Sequence, residues 1–160
     1  MKILGIDPGS QVLGYGILEA QPGGLQSSVS GTLRPLASSD LCERLHFIHR
    51  EIENLIGLHR PETVAVETAF YHKNARSTLI LGHVRGVVLL AARQANLSVA
   101  EYAPREVKMA VTGHGDAAKE QVAFMVRRLL ALSETPVADA ADALAVALCH
   151  WHRSRMRVLV

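Results

Sequence analysis

Twice in this chain a short apolar run stops on a carboxylate. Lys2-Ile3-Leu4-Gly5-Ile6 ends on Asp7, ahead of Pro8-Gly9, and Glu62-Thr63-Val64-Ala65-Val66 ends on Glu67. Both runs read as buried strands, and a carboxylate at the mouth of a buried strand is costly unless it is paired, hydrogen-bonded or holding a cation. Taken alone, Asp7 is explained by an Asx-turn onto the backbone ahead of Pro8-Gly9. Two such ends constrain the chain more. In open α/β sheets ligand sites lie beyond strand ends, so Asp7 and Glu67 meet if the first and fourth strands are neighbours.

The rest of the chain supplies that sheet. Val12 to Leu18 reads as a second strand, with Gly9, Gly14 and Gly16 permitting close backbone approach. Pro22-Gly23-Gly24 is a hairpin turn and Gln26 to Leu33 the returning strand. Ser38-Ser39-Asp40 caps a helix to about Leu58, with Leu41, Leu45, Ile48, Ile52, Leu55 and Ile56 at helical spacing. A long helix is expected from about Ala75 to Ala95, then a strand from Leu97 to Tyr102 that leads through Pro104 into a short helix. Thr112-Gly113-His114-Gly115 reads as a mobile loop in which His114 can swing toward a site. Asp116 reads as the cap of a helix from Ala117 to about Leu132, and a last helix spans about Val137 to Arg153. This order predicts a mixed five-stranded α/β sheet flanked by helices. At 160 residues, 49% hydrophobic and 20% charged, it is expected to be one domain over 1–160 with a frayed end from 154.

The last helix adds two more carboxylates in PVADAADALAVAL. Asp139 and Asp142 are three residues apart and flank a stripe of Ala141, Leu144, Ala145, Leu148 and Trp151. Each alone fits a first-turn acid favoured by the helix dipole. Together with the two strand ends they would repel one another without a counter-charge. An all-oxygen set suits Mg²⁺ or Mn²⁺ and suits zinc poorly. Two such ions about 3.5–4 Å apart can activate a water and stabilise the leaving oxygen of a phosphodiester.

IDPGSQVLGYGI, VAVETAFYHKNARS and ADAADALAVAL, in that order and spacing, resemble the RuvC family of Holliday-junction resolvases over nearly all the chain. The resemblance implies a ribonuclease-H-like fold and a homodimeric, Mg²⁺-dependent endonuclease that resolves four-way DNA junctions by paired nicks in recombination and repair. It implies two metal ions per subunit, with Mn²⁺ as a substitute, held by Asp7, Glu67, Asp139 and Asp142. Some relatives carry a histidine where Asp139 stands, so this chain is of the all-carboxylate kind. The resemblance also places Phe70 where members insert an aromatic at the branch point, and a stacked base is what an exposed ring there would hold. Lys108 and Lys119 match lysines used near the scissile phosphate. Arg76 and Arg105 are expected phosphate contacts, and the RuvA–RuvB branch-migration complex is an expected partner.

Gly82 and Gly86 lie on one face of the long helix and weaken it by roughly 1 kcal/mol each relative to alanine. A close neighbour would offset that cost. Within a monomer it is the sheet; the resemblance favours a two-fold partner helix. Net charge is only +2, but Arg127, Arg128, Arg153, Arg155 and Arg157 cluster late, which permits a nucleic-acid partner. The longest apolar stretch, near Gly86 to Ala92, is short for a bilayer, so no membrane is expected. Cys42 and Cys149 make neither a disulfide framework nor a CxxC site, which points to a reducing cytoplasm. Three other readings compete. A kinase-like ATPase also opens with a strand ending in Asp before glycine, but 160 residues leave no room for its second phosphate loop and adenosine domain. A binding-only module is opposed by the presence of all four acids, and an RNA-cutting relative is the nearest alternative.

Overall fold

The computed structural model describes residues 1–9, 11–22, 24–68 and 74–158, with side chains as far as Arg155. Five strands, β1 (Lys2–Asp7), β2 (Leu13–Gln21), β3 (Gly24–Leu33), β4 (Thr63–Glu67) and β5 (Ser98–Tyr102), form one sheet in the order β3-β2-β1-β4-β5. β2 pairs antiparallel with both β1 and β3, while β1, β4 and β5 run parallel. The helices are α1 (Leu41–His59), α2 (Ala75–Gln94), α3 (Pro104–Thr112), α4 (Lys119–Leu129) and α5 (Ala138–Val158). This is the expected mixed five-stranded sheet flanked by helices.

The pleat decides what faces what. Successive strand side chains alternate between faces, and Leu4, Ile6, Val64 and Val66 bury against Ile48, Ile52 and Ile56 of α1 and Val84, Val88, Ala91 and Ala92 of α2. Ile3 and Ala65 point the other way, into a core with Leu144, Ala145 and Leu148 of α5. Asp7 and Glu67 share the parity of Ile3 and Ala65, so both emerge on the α5 face.

α5 lies unusually close to the sheet. A Cβ at Gly5 would run into the carbonyl oxygen of Ala143, and one at Gly14 into that of Asp139. The close approach expected at Gly14 is therefore made by the helix that carries two of the acids. α3 and α4 cover the opposite side of α5, with Val107, Val111, Val122 and Val126 in the same core. Ala140, Ala141 and every residue from Ala143 to Cys149 are buried, so the expected apolar stripe is a helix apolar almost all round. α5 also stays helical to Val158, past the frayed end expected from 154: Ser154 Oγ donates to the carbonyl of Trp151, and Arg155 lies over the Trp151 ring.

Two local expectations differ from what is observed. Asp40 caps α1 as expected, in a reciprocal capping box with Glu43. Asp116 does not cap α4, whose N-cap is Ala118; its N–H is instead taken by Gln121 Oε1. α2, by length and composition, is long and apolar enough to cross a membrane, which the short apolar stretch in the sequence did not suggest. Here its Val84, Val88, Ala91 and Ala92 are buried beneath the sheet. The opposite face is open: nothing lies within 4 Å of where a Cβ would stand at Gly82 or Gly86. The sheet is therefore not the close neighbour of these glycines.

Candidate active site

The parallel register of β1 and β4 sets Gly5 opposite Ala65 and Ile6 opposite Val66, which carries Asp7 and Glu67 to the same level at adjacent strand ends. Side by side there, the two carboxyls act on each other. Burial first, then the charges of Glu67 and Asp142, push Asp7 up to about 8. Glu67 is raised as well, again chiefly by burial and next by Asp142. Asp139 adds to the repulsion on Asp7 from one turn before Asp142 on α5.

Asp7, Glu67 and Asp142 line one cleft of about 270 Å³, with Lys108 of α3 and Lys119 of α4 on its walls and Pro104, Val107, Val122 and Ala145 behind. Asp139 is not among its lining residues. Lys119 Nζ donates to Asp142 Oδ2 at 2.8 Å, and that bond leads the causes that raise the lysine above its ordinary range. Among the described residues no three His, Cys, Asp or Glu side chains are posed to grip an ion as they stand. The donor chemistry nevertheless fits a divalent cation. An all-carboxylate set so short of positive charge that it keeps a proton and borrows an ammonium is one that Mg²⁺ or Mn²⁺ would satisfy.

The other expected residues scatter. Arg105 lies outside the cleft, packed against Gly115 and facing a neighbouring groove with Met109 and Arg153. Arg76 is exposed in the first turn of α2, its N–H held by the Asn74 cap. Phe70 falls outside the described residues. His114 does not approach the acids: it lines a separate groove with Glu120 and Phe124. The loop before it is tied down, with Thr112 Oγ1 donating to the carbonyl of Lys108 and accepting from the N–H of His114.

Two residues that support the site carry no sequence signal. Thr68, next to Glu67, holds the carbonyl of Tyr102, and the Tyr102 hydroxyl meets His150 Nδ1 of α5 at 2.8 Å. The end of β4 and the acid-bearing helix are thus joined through one tyrosine at the end of β5.

The family model described as "Crossover junction endodeoxyribonuclease RuvC" matches residues 3–150. Proteins of that description from Moorella thermoacetica and Halorhodospira halophila are 52% and 53% identical, each match covering 94% of this chain and 90% of the relative. The solved structure of Thermus thermophilus RuvC in complex with Holliday junction substrate superposes with a TM-score of 0.91 at 38% identity, covering 98% of this chain and 96% of that one. The yeast mitochondrial Holliday junction resolvase Ydc2, at 12% identity and a TM-score of 0.65, shares the fold.

Proposed function

Because the chain belongs to the RuvC family of crossover junction endodeoxyribonucleases, we propose that it resolves four-way DNA junctions by hydrolysing one phosphodiester in each of two opposing strands, in homologous recombination and repair. The observation that carries this reading is the cleft in which Asp7, Glu67 and Asp142 gather on the α5 face with Lys108 and Lys119 beside them. Asp7, Glu67, Asp142 and, a turn away, Asp139 would hold two Mg²⁺ ions, with Mn²⁺ able to substitute. When bound, the ions supply an activated water and charge stabilisation for the leaving oxygen.

The chain's own residues do the rest. Lys108 and Lys119 draw a backbone phosphate to the mouth of the cleft, while Arg76 and Arg105, farther out, add salt-sensitive affinity. Phe70 stacks on a base unpaired at the crossover. A second copy is needed because one acid cluster cuts one strand. The α2 face supports that copy: Leu79 and Leu90 stand 65% and 52% exposed around the open Gly82 and Gly86, in a groove with Leu45 and Val87. Both cysteines are free thiols, which supports a reducing cytoplasmic setting, and RuvA–RuvB is the partner complex that family membership suggests.

Synthetic four-way junctions, linear duplex and an RNA hairpin, each with and without Mg²⁺, test the proposal. Paired symmetric nicks in the junction, dependent on metal, are expected. Comparable cutting of duplex or RNA, or cleavage that survives chelation, would overturn it.

A further inference from the structure

Lys119 stands in an odd place for a cation. It is the first residue of α4, whose N-cap Ala118 offers no side-chain bond. The positive end of the helix dipole disfavours a lysine there. Its side chain is 72% exposed, yet it is not left to water. It reaches across the cleft to Asp142, which is only 16% exposed, and closes an ion pair at 2.8 Å between the start of one helix and the buried helix behind it. Lys108 lines the same cleft and its charge acts on Glu67, but among the described residues it closes no ion pair like that of Lys119 with Asp142. The two lysines are therefore not equivalent.

We propose that the Lys119 ammonium is the resident counter-cation of this site, held on Asp142 until a divalent ion takes its place and then released to the cleft mouth. The inference rests on the reading that Asp142 helps to hold metal, and extends it to how the site is loaded. A divalent ion on Asp142 competes with the ammonium for the same carboxylate, and its double charge repels the lysine at that short range. Once displaced, the lysine is pushed outward by the incoming charge and by its own helix end, on a flexible four-carbon stem. Its free position is where an approaching phosphate would meet it. Metal loading would thus switch Lys119 from an internal partner to a DNA contact, so that an unloaded subunit offers the substrate one cation fewer.

Mg²⁺ titration of the DNA-free protein by calorimetry, for wild type, Lys119→Met and Lys108→Met, tests this. Both variants remove one positive charge from the cleft, and only the first removes the bond to Asp142. Lys119→Met is expected to bind Mg²⁺ about two- to fivefold more tightly than wild type, the range expected of a partly exposed ion pair, with Lys108→Met changing less. In chelator, Lys119→Met should also melt lower than Lys108→Met and gain more from added Mg²⁺. Equal gains in affinity for the two variants, or none for Lys119→Met, would overturn the counter-cation role while leaving the metal site standing. No Mg²⁺ binding by any of the three would overturn the metal reading and this inference with it.

Discussion

Thr68 grips the carbonyl of Tyr102 twice, through its backbone N–H at 2.8 Å and its hydroxyl at 3.1 Å. Glu67 is the residue just before, so the doubled bond holds the end of β4 against β5 where the carboxylate leaves the sheet. Thr68→Val keeps the shape and the backbone bond and deletes the hydroxyl. A single hydrogen bond of this kind contributes about 0.5–1.5 kcal/mol, so the melting point should fall only slightly. Single-turnover cleavage should fall further, by about tenfold, because small displacements of reacting groups are costly. An unchanged rate would show that Glu67 is placed without Thr68.

Asp7→Asn, Glu67→Gln, Asp139→Asn and Asp142→Asn should each leave junction affinity largely intact. Affinity comes mainly from cations on phosphates, and losing a carboxylate lessens repulsion. Cleavage should drop by more than the roughly 100-fold seen on disturbing even an outer partner of a metal ligand. Gel-shift and nicking assays on one preparation separate the two effects. Near-normal nicking by any two of the four would remove the carboxylate assignment.

The metal-free protein should lose stability as pH rises. Asp7 binds its proton more tightly folded, at about 8, than unfolded, at 3.8. Between those values the folded state holds more protons than the unfolded one, so unfolding free energy declines with pH. Glu67, also raised, acts in the same direction. In chelator, the melting point at pH 5 should exceed that at pH 8, Asp7→Asn should flatten the slope, and Mg²⁺ should restore stability at pH 8. A metal-free melting point that climbs across this range would contradict the buried, charge-crowded picture of Asp7.

Gly14→Ala should be costly, since its methyl would meet the Asp139 carbonyl and push back the start of α5. Overpacking of this kind costs about 1–3 kcal/mol. Gly82→Ala, with open space around it, should cost the monomer nothing and gain some helix propensity. Thermal melts of the two variants side by side provide the check.

The family resemblance favours a dimer through α2, and the open face around Gly82 and Gly86 offers it a surface. Replacing both glycines with leucine should split a C₂ dimer and uncouple the two nicks, with each acid cluster intact. Light scattering at micromolar concentration decides. A wild-type mass near the 17.3 kDa of one chain, with paired nicking retained, would prove the dimer wrong.

The strand-end acids were legible because period-two alternation and a terminal carboxylate are local signals; whether they meet hung on the first and fourth strands being neighbours, and the parallel register of β1 with β4 meets that condition. The setting of Asp139 and Asp142 was not. Sequence spacing treats α5 as a helix with one apolar stripe, whereas α3 and α4 cover its far side, and alanines on a second face carry no signal of a second partner. Asp116 sits close before α4 and looks like a cap, but Gln121 takes the backbone N–H from inside the helix. The Lys119–Asp142 pair and the Thr68–Tyr102–His150 chain join segments far apart in sequence, so no local pattern announces them.

A helix buried almost all round has a consequence for how the protein fails. α5 cannot fray or breathe independently in its middle turns, because the sheet, α3 and α4 would all have to part first. Backbone amides around Asp142 and Leu144 therefore belong to the most slowly exchanging class, those that open only when the whole domain does. Heat or denaturant would then find no partly melted form that keeps its shape and has lost its acids. The carboxylate cluster and the fold are one cooperative unit, and they disappear together.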